Sequence, residues 1–160
     1  MAGHWECGFL HVPWVLLPAV RAPGLVWSIA RAAPLLARVR QSLRKHGDVR
    51  EVLAGLTPTT SPATRSSAVT RWRTVRSIYW ATRLLPSGSA GGRCLQQALA
   101  IYTALRRQGW DVTFVSGVRR DAAGLQGHAW VEENGQGLPE LAGREPVSEY
   151  VPSFRYPPTS

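Results

Sequence analysis

Three residues of this chain have the types and the spacing to do chemistry together. His128 follows Cys94 by 34 positions (128 − 94), and Glu140 follows His128 by 12 (140 − 128). A thiol with a pKa near ~8.5 is only slightly ionised at neutral pH, but a helix N-terminus and a neighbouring imidazolium lower that value by several units. Cys94 opens a helical pattern immediately after Gly91 and Gly92, so its sulfur would stand at such an N-terminus. The glycines let a substrate backbone approach closely, and the N–H groups of the first turn, that of Cys94 among them, are candidates for part of an oxyanion hole. The plainer alternative is a small buried hydrophobe, the usual fate of an unbridged cysteine.

His128 supplies the base such a thiol needs. It lies in the strand-like run from Gly127 to Glu132, whereas His4, His11 and His46 fall in the N-terminal half without strand context. Three carboxylates lie nearby: Asp121, Glu132 and Glu140. Glu132 is four residues along the same strand, about 13 Å away, too far to hold the imidazole. Asp121 falls in an expected loop, 119–126. Glu140 depends on register. A two-residue turn at Asn134-Gly135 pairs Ala129 with Glu140 and sends the carboxylate to the wrong face. A three-residue loop with Gly135 left-handed sets His128 opposite Glu140 instead. The expectation is that loop, or a bulge near Gly137-Pro139 with the same effect.

The elements that must position these residues are legible in outline. From Leu25 to Lys45, apolar residues recur at helical spacing through Leu35, Val39 and Leu43, with Pro34 expected to start or kink the helix. Asp48 and Glu51 resemble a capping box for a short helix ending near Gly55. A helix is expected over 65–85, with Val69, Trp72, Val75 and Tyr79 inward and Arg71, Arg73, Arg76 and Arg83 outward. The Cys94 helix runs to Gln108, with Gly109 as its C′ residue. The period then drops to two, giving strands at 112–118, 127–133 and 136–141. The tail from Ser148 reads as irregular. Helices followed by an antiparallel meander define an α+β fold: a helical region over 1–86, with an irregular apolar tail over 1–24, and a catalytic core over 87–160, together one compact domain.

Composition narrows the function classes. The 160 residues, 44% of them apolar, suffice to bury about two thirds of the unfolded surface without staples. Cys7 and Cys94 are the only cysteines, which excludes a disulfide framework and a zinc knuckle. No pattern calls for a metal or cofactor. The net charge of +9 is almost all arginine, Lys45 being the single lysine. No nucleic-acid recognition motif accompanies that charge, so a nucleic-acid partner is not expected. Residues 1–20 lack the basic opening and unbroken apolar run of a signal peptide, and no stretch reaches the ~18 residues that span a bilayer. A cytoplasmic protein is expected, with membrane-surface contact by residues 9–20 left open.

The segments Gly92-Arg93-Cys94-Leu95-Gln96-Gln97-Ala98-Leu99, Arg107-Gln108-Gly109-Trp110, Gly117-Val118-Arg119 and Gly127-His128-Ala129-Trp130-Val131-Glu132-Glu133-Asn134-Gly135, followed by Glu140, together resemble the lasso-peptide leader peptidases. These are transglutaminase-like cysteine proteases of ribosomal-peptide biosynthesis. The likeness is specific over 92–140 and looser before it, and the length resembles the split form, which works with a separate leader-recognition protein. It implies a papain- or transglutaminase-like core in which Cys94 is the nucleophile, His128 the general base and later acid, and Glu140 the orienting carboxylate. It also implies a precursor peptide as substrate, a leader-recognition protein as partner and a lasso cyclase downstream. Gln97 and Ala98 stand where the commoner pattern has Arg-Ser, and the apolar N-terminus is unusually long. Two rivals keep the fold: an acyl transferase to an amine, and an inert scaffold that binds peptide.

Overall fold

The computed structural model describes residues 23–59, 64–86, 92–122, 124–141 and 147–157. Cys7 and the expected tail therefore lie outside the described residues, apart from positions 23–24, which open the first helix. Helix α1, Pro23–Lys45, runs through Pro34 and buries Leu36 and Val39, while Pro34 itself is exposed. Helix α2, Val49–Leu56, starts at Asp48, whose carboxylate accepts from the Arg50 N–H at 2.8 Å. Glu51 does not close the capping box; it pairs with His46 Nδ1 at 3.2 Å.

Helix α3, Ala68–Leu84, is capped by Ser67, which accepts from the Thr70 N–H. Its buried stripe is Arg71, Val75, Ile78, Tyr79 and Thr82. This corrects the expected face at its first turns: Val69 and Trp72 are 59% and 47% exposed, and Arg71 is 5% exposed. The stripe is still helical in period, but a guanidinium occupies the place assigned to an indole. Helix α4, Gly92–Arg107, is the most buried of the four and ends before Gly109, which has φ +80°. A Cβ at Gly109 would lie 3.1 Å from the Arg65 backbone, so the turn also needs glycine for space.

Four strands form one antiparallel sheet, in the order β3-β2-β1-β4. β1 spans Thr113–Asp121 and β2 spans Gly124–Glu133, so the expected loop over 119–126 is a tight hairpin with both strands longer than the sequence suggested. β3 is only Gln136–Gly137, not a strand over 136–141. The expected irregular tail contains β4, Val151–Tyr156, which lies antiparallel on β1. One face of the sheet carries Phe114, Ala129 and Val131 into a continuous core with Leu36, Val52, Ile78, Leu99, Tyr102 and Leu105. Helices on one sheet face, with α4 packed along β2, make the α+β architecture expected from the sequence.

Candidate active site

Cys94 is the third residue of α4, buried at 7% exposure, in the turn that follows Gly92 at φ +71°. Left-handed backbone at Gly92 turns the chain into the helix and sets Cys94 where first-turn N–H groups have no helical acceptors. Only residues 108–112 link α4 to β1, so the two elements run antiparallel. Leu105 and Phe114, on either side of that link, both belong to the core. Eleven residues back from Leu105 (105 − 94) is about 16 Å of helix, or about five residues of strand. Five residues on from Phe114 is Arg119, which pairs with Gln126. By that count the Cys94 end of α4 is expected to lie toward the Gln126–His128 end of β2.

His128 is equally buried, and its Nε2 has no hydrogen-bond partner. Tyr150 lies tilted against the imidazole at 5.0 Å between centroids, and Trp130 stacks on it at 6.0 Å with planes 17° apart. Trp130 Nε1–H donates to Glu132 at 2.8 Å, and the second oxygen of Glu132 accepts from Arg155 Nη1 at 2.5 Å. Arg119, which also pairs with Glu149, lies 5.1 Å over the Tyr150 ring. Alternation along β2 explains the grouping. Ala129 and Val131 enter the helical core, so His128, Trp130 and Glu132 line the other sheet face. Gly117, paired with His128, makes room there: a Cβ on it would sit 2.9 Å from the Trp130 ring and 2.5 Å from the Val151 carbonyl oxygen.

Glu140 does not face His128 across a ladder. Glu132 pairs with Gly137 and Glu133 with Gln136, so the turn is the two-residue Asn134-Gly135, left-handed at both residues (φ 52° and 75°). The expected three-residue loop is therefore corrected. Asn and Gly tolerate positive φ at the two positions of such a turn, and its twist matches the flanking strands. After Gly137 the chain leaves the sheet through buried Leu138 into a 3₁₀ turn, Pro139–Leu141. The Glu140 carboxylate lies on Arg71, with Oε1 2.7 Å from Nε, off the line of a hydrogen bond, and Oε2 accepting from Nη2 at 3.2 Å. Arg71 Nη1 also donates to Glu133 at 2.6 Å, and its guanidinium stacks 4.4 Å from the Trp110 ring. Burial pulls the Arg71 pKa down, but the hydrogen bonds and charges of Glu133 and Glu140 outweigh it and raise the pKa above its ordinary value.

Among the other residues weighed, Asp121 closes the β1–β2 hairpin opposite Gly124, with a carboxylate oxygen 3.7 Å from Arg119 Nη2. Glu132 gives its two oxygens to Trp130 and Arg155 and joins the His128 cluster through Trp130. Arg71 and Tyr150 were missed. The signal for Arg71 was its place four residues before Val75 on the buried stripe; Tyr150 carried none, because β4 was not foreseen. Among the described residues, no group of three His, Cys, Asp or Glu side chains is arranged to hold a metal ion. No helix among them is long and apolar enough to cross a membrane.

A family model described as the transglutaminase-like superfamily matches residues 24–155. No curated protein and no solved structure matches the chain.

Proposed function

The chain belongs to the transglutaminase-like superfamily, and from that premise we propose that it is a cysteine peptidase that removes the leader from a ribosomally made lasso-peptide precursor. Membership supports acyl-transfer chemistry through a cysteine, to water or to an amine. The finer reading rests on the sequence segments around Cys94 and His128. The single observation that carries it is the buried His128 Nε2 without a partner. A buried polar atom left unpaired costs about 1–3 kcal/mol, a cost that selection tolerates where the atom has work to do.

In this proposal the imidazole of His128 meets the Cys94 thiol. His128 takes the Cys94 proton, and the thiolate attacks the carbonyl carbon joining leader to core. The oxyanion is held in part by the Cys94 N–H. Collapse breaks the C–N bond, His128 returns the proton to the departing amine, and the core leaves with a new N-terminus. Water, deprotonated by His128, then attacks the thioester, frees the leader carboxylate and restores the thiol. Glu140 is the proposed orienting carboxylate. Arg71 occupies one direction on each of its oxygens, and a carboxylate has further acceptor sites for an imidazole N–H. The proposed assembly includes a separate leader-recognition protein, and the released core passes to a lasso cyclase.

The test is to incubate the protein with the candidate precursor and the leader-recognition partner, comparing wild type with Cys94→Ala and His128→Ala. Release of the intact core by wild type alone is expected. Unchanged cleavage by either variant would remove the mechanism, and an amide adduct in place of the free leader would move the protein to the transferases.

A further inference from the structure

The sheet is unfinished beside His128. Among the described residues, β2 pairs on its outer side only through Glu132 and Glu133, because β3 is two residues long. Continuing that register by two residues would set Pro139 opposite Trp130, but by then the chain has turned into the 3₁₀ helix, where proline suits the first position. From Leu125 to Val131, the outer edge of β2 has no strand partner among the described residues.

Two hairpins fix the direction of each backbone group. The two-residue turn at Asn134-Gly135 makes Glu133 and Gln136 the mutually bonded pair, so Glu133 points its N–H and C=O toward β3. Period two gives Val131, Ala129, Gly127 and Leu125 the same outward direction. Asp121 opposite Gly124, the last pair at that end of the β1–β2 ladder, independently directs Gly124, Gln126 and His128 inward to β1. The two phases agree. Leu125, 64% exposed, and the half-buried Gly127 therefore present donors and acceptors outward in the two residues before His128.

We infer that the substrate binds as an added strand on this edge, its extended backbone hydrogen-bonded to Leu125 and Gly127, so that the scissile carbonyl is held beside His128 and the Cys94 turn. Outward N–H and C=O pairs repeating every second residue are matched by another extended backbone. The occupant is therefore a peptide segment, and one free of proline where it faces Gly127. The exposed Leu125 side chain and the neighbouring Val118, on the same sheet face, give that segment apolar contact without a demanding pocket. Strand addition also sets the distance of the cleaved bond from His128, so cutting would depend on backbone register more than on side-chain identity. The inference rests on the peptidase reading.

Gly127→Pro tests it, because proline deletes the outward-pointing N–H of Gly127 and removes no bond to β1. Gln126, which precedes it, is already in the extended conformation that a following proline requires. With the same precursor and partner, Gly127→Pro is expected to lose at least tenfold more kcat/KM than Gly127→Ala, at an unchanged thermal midpoint. Equal activity of the two variants would overturn the inference while leaving the peptidase reading standing. No cleavage by wild type would remove both. Should the proline variant not fold, amide exchange on Cys94→Ala mixed with precursor and partner decides. Slowed exchange at Leu125 and Gly127, with Gln126 and His128 unchanged, supports strand addition; no change at Leu125 and Gly127 overturns it.

Discussion

Two polar clusters flank β2, and they differ in what they leave unsatisfied. On the helix side, Arg71 is held between Glu133 and Glu140, with Arg65 adding a second cation to Glu133 at 2.8 Å and both guanidinium groups stacked on Trp110. On the other face, Glu132 is equally well provided for by Trp130 and Arg155, but His128 beside them keeps a buried nitrogen without a partner. The first cluster spends its charges on joining α3 to the hairpin. The second builds an aromatic and carboxylate frame around one imidazole and stops short of satisfying it, which leaves that nitrogen available for the proposed role as base.

The largest effects should fall on the unsatisfied side. Cys94→Ala and His128→Ala should each lower cleavage by at least ~10³-fold, in line with loss of a nucleophile or general base, with little change in thermal midpoint. A direct check of the pairing is the pH dependence of Cys94 alkylation by iodoacetamide. If His128 activates Cys94, His128→Ala should move that dependence to higher pH. An unmoved midpoint would separate the two residues chemically and sink the dyad.

The helix-side cluster should respond in stability first. Arg71→Ala strands the buried Glu140 and the partly buried Glu133, and removing one partner of such a group costs about 3–5 kcal/mol. Denaturant unfolding measures it. A loss below about 1 kcal/mol would mean that the clamp is not what fastens α3 to the hairpin.

How far the sequence foretold these clusters follows from the length of each signal. The α4 stripe and the alternation of β1 and β2 run for many residues, so the helix that carries Cys94 and the strand that carries His128 were legible. β3 offered only two paired residues, and β4 contains Pro152 and polar Ser153 at an exposed edge, so period-two reading had little to grip. Arg71 went astray for a different reason. Helical period placed it on the buried stripe, but hydrophobicity favoured its neighbour Trp72, and only the acidic hairpin, distant in sequence, makes a buried guanidinium affordable. The Asn134-Gly135 dipeptide itself favours the two-residue turn; only the demand that Glu140 face His128 argues for a longer loop.

The smallest expected effects are the most discriminating, because they set one buried carboxylate against the other. Glu140→Gln keeps the shape, weakens the hold on Arg71 and, if Glu140 orients His128, should lower kcat by about 10- to 100-fold and alter the pH profile of kcat/KM, with KM little changed. Glu132→Gln lies one step further from the imidazole, behind Trp130. It should cost about 1–2 kcal/mol through its weakened bond to Arg155 while leaving kcat within a few-fold of wild type, read at conditions where both variants are fully folded. The reverse result, with kcat falling in Glu132→Gln and holding in Glu140→Gln, would transfer the orienting role to the Trp130–Glu132 frame. The Arg71 cluster would then be purely structural, and the contrast between the two sides of β2 would become complete: one carboxylate pair fastening a helix, and one carboxylate acting through an indole on the imidazole.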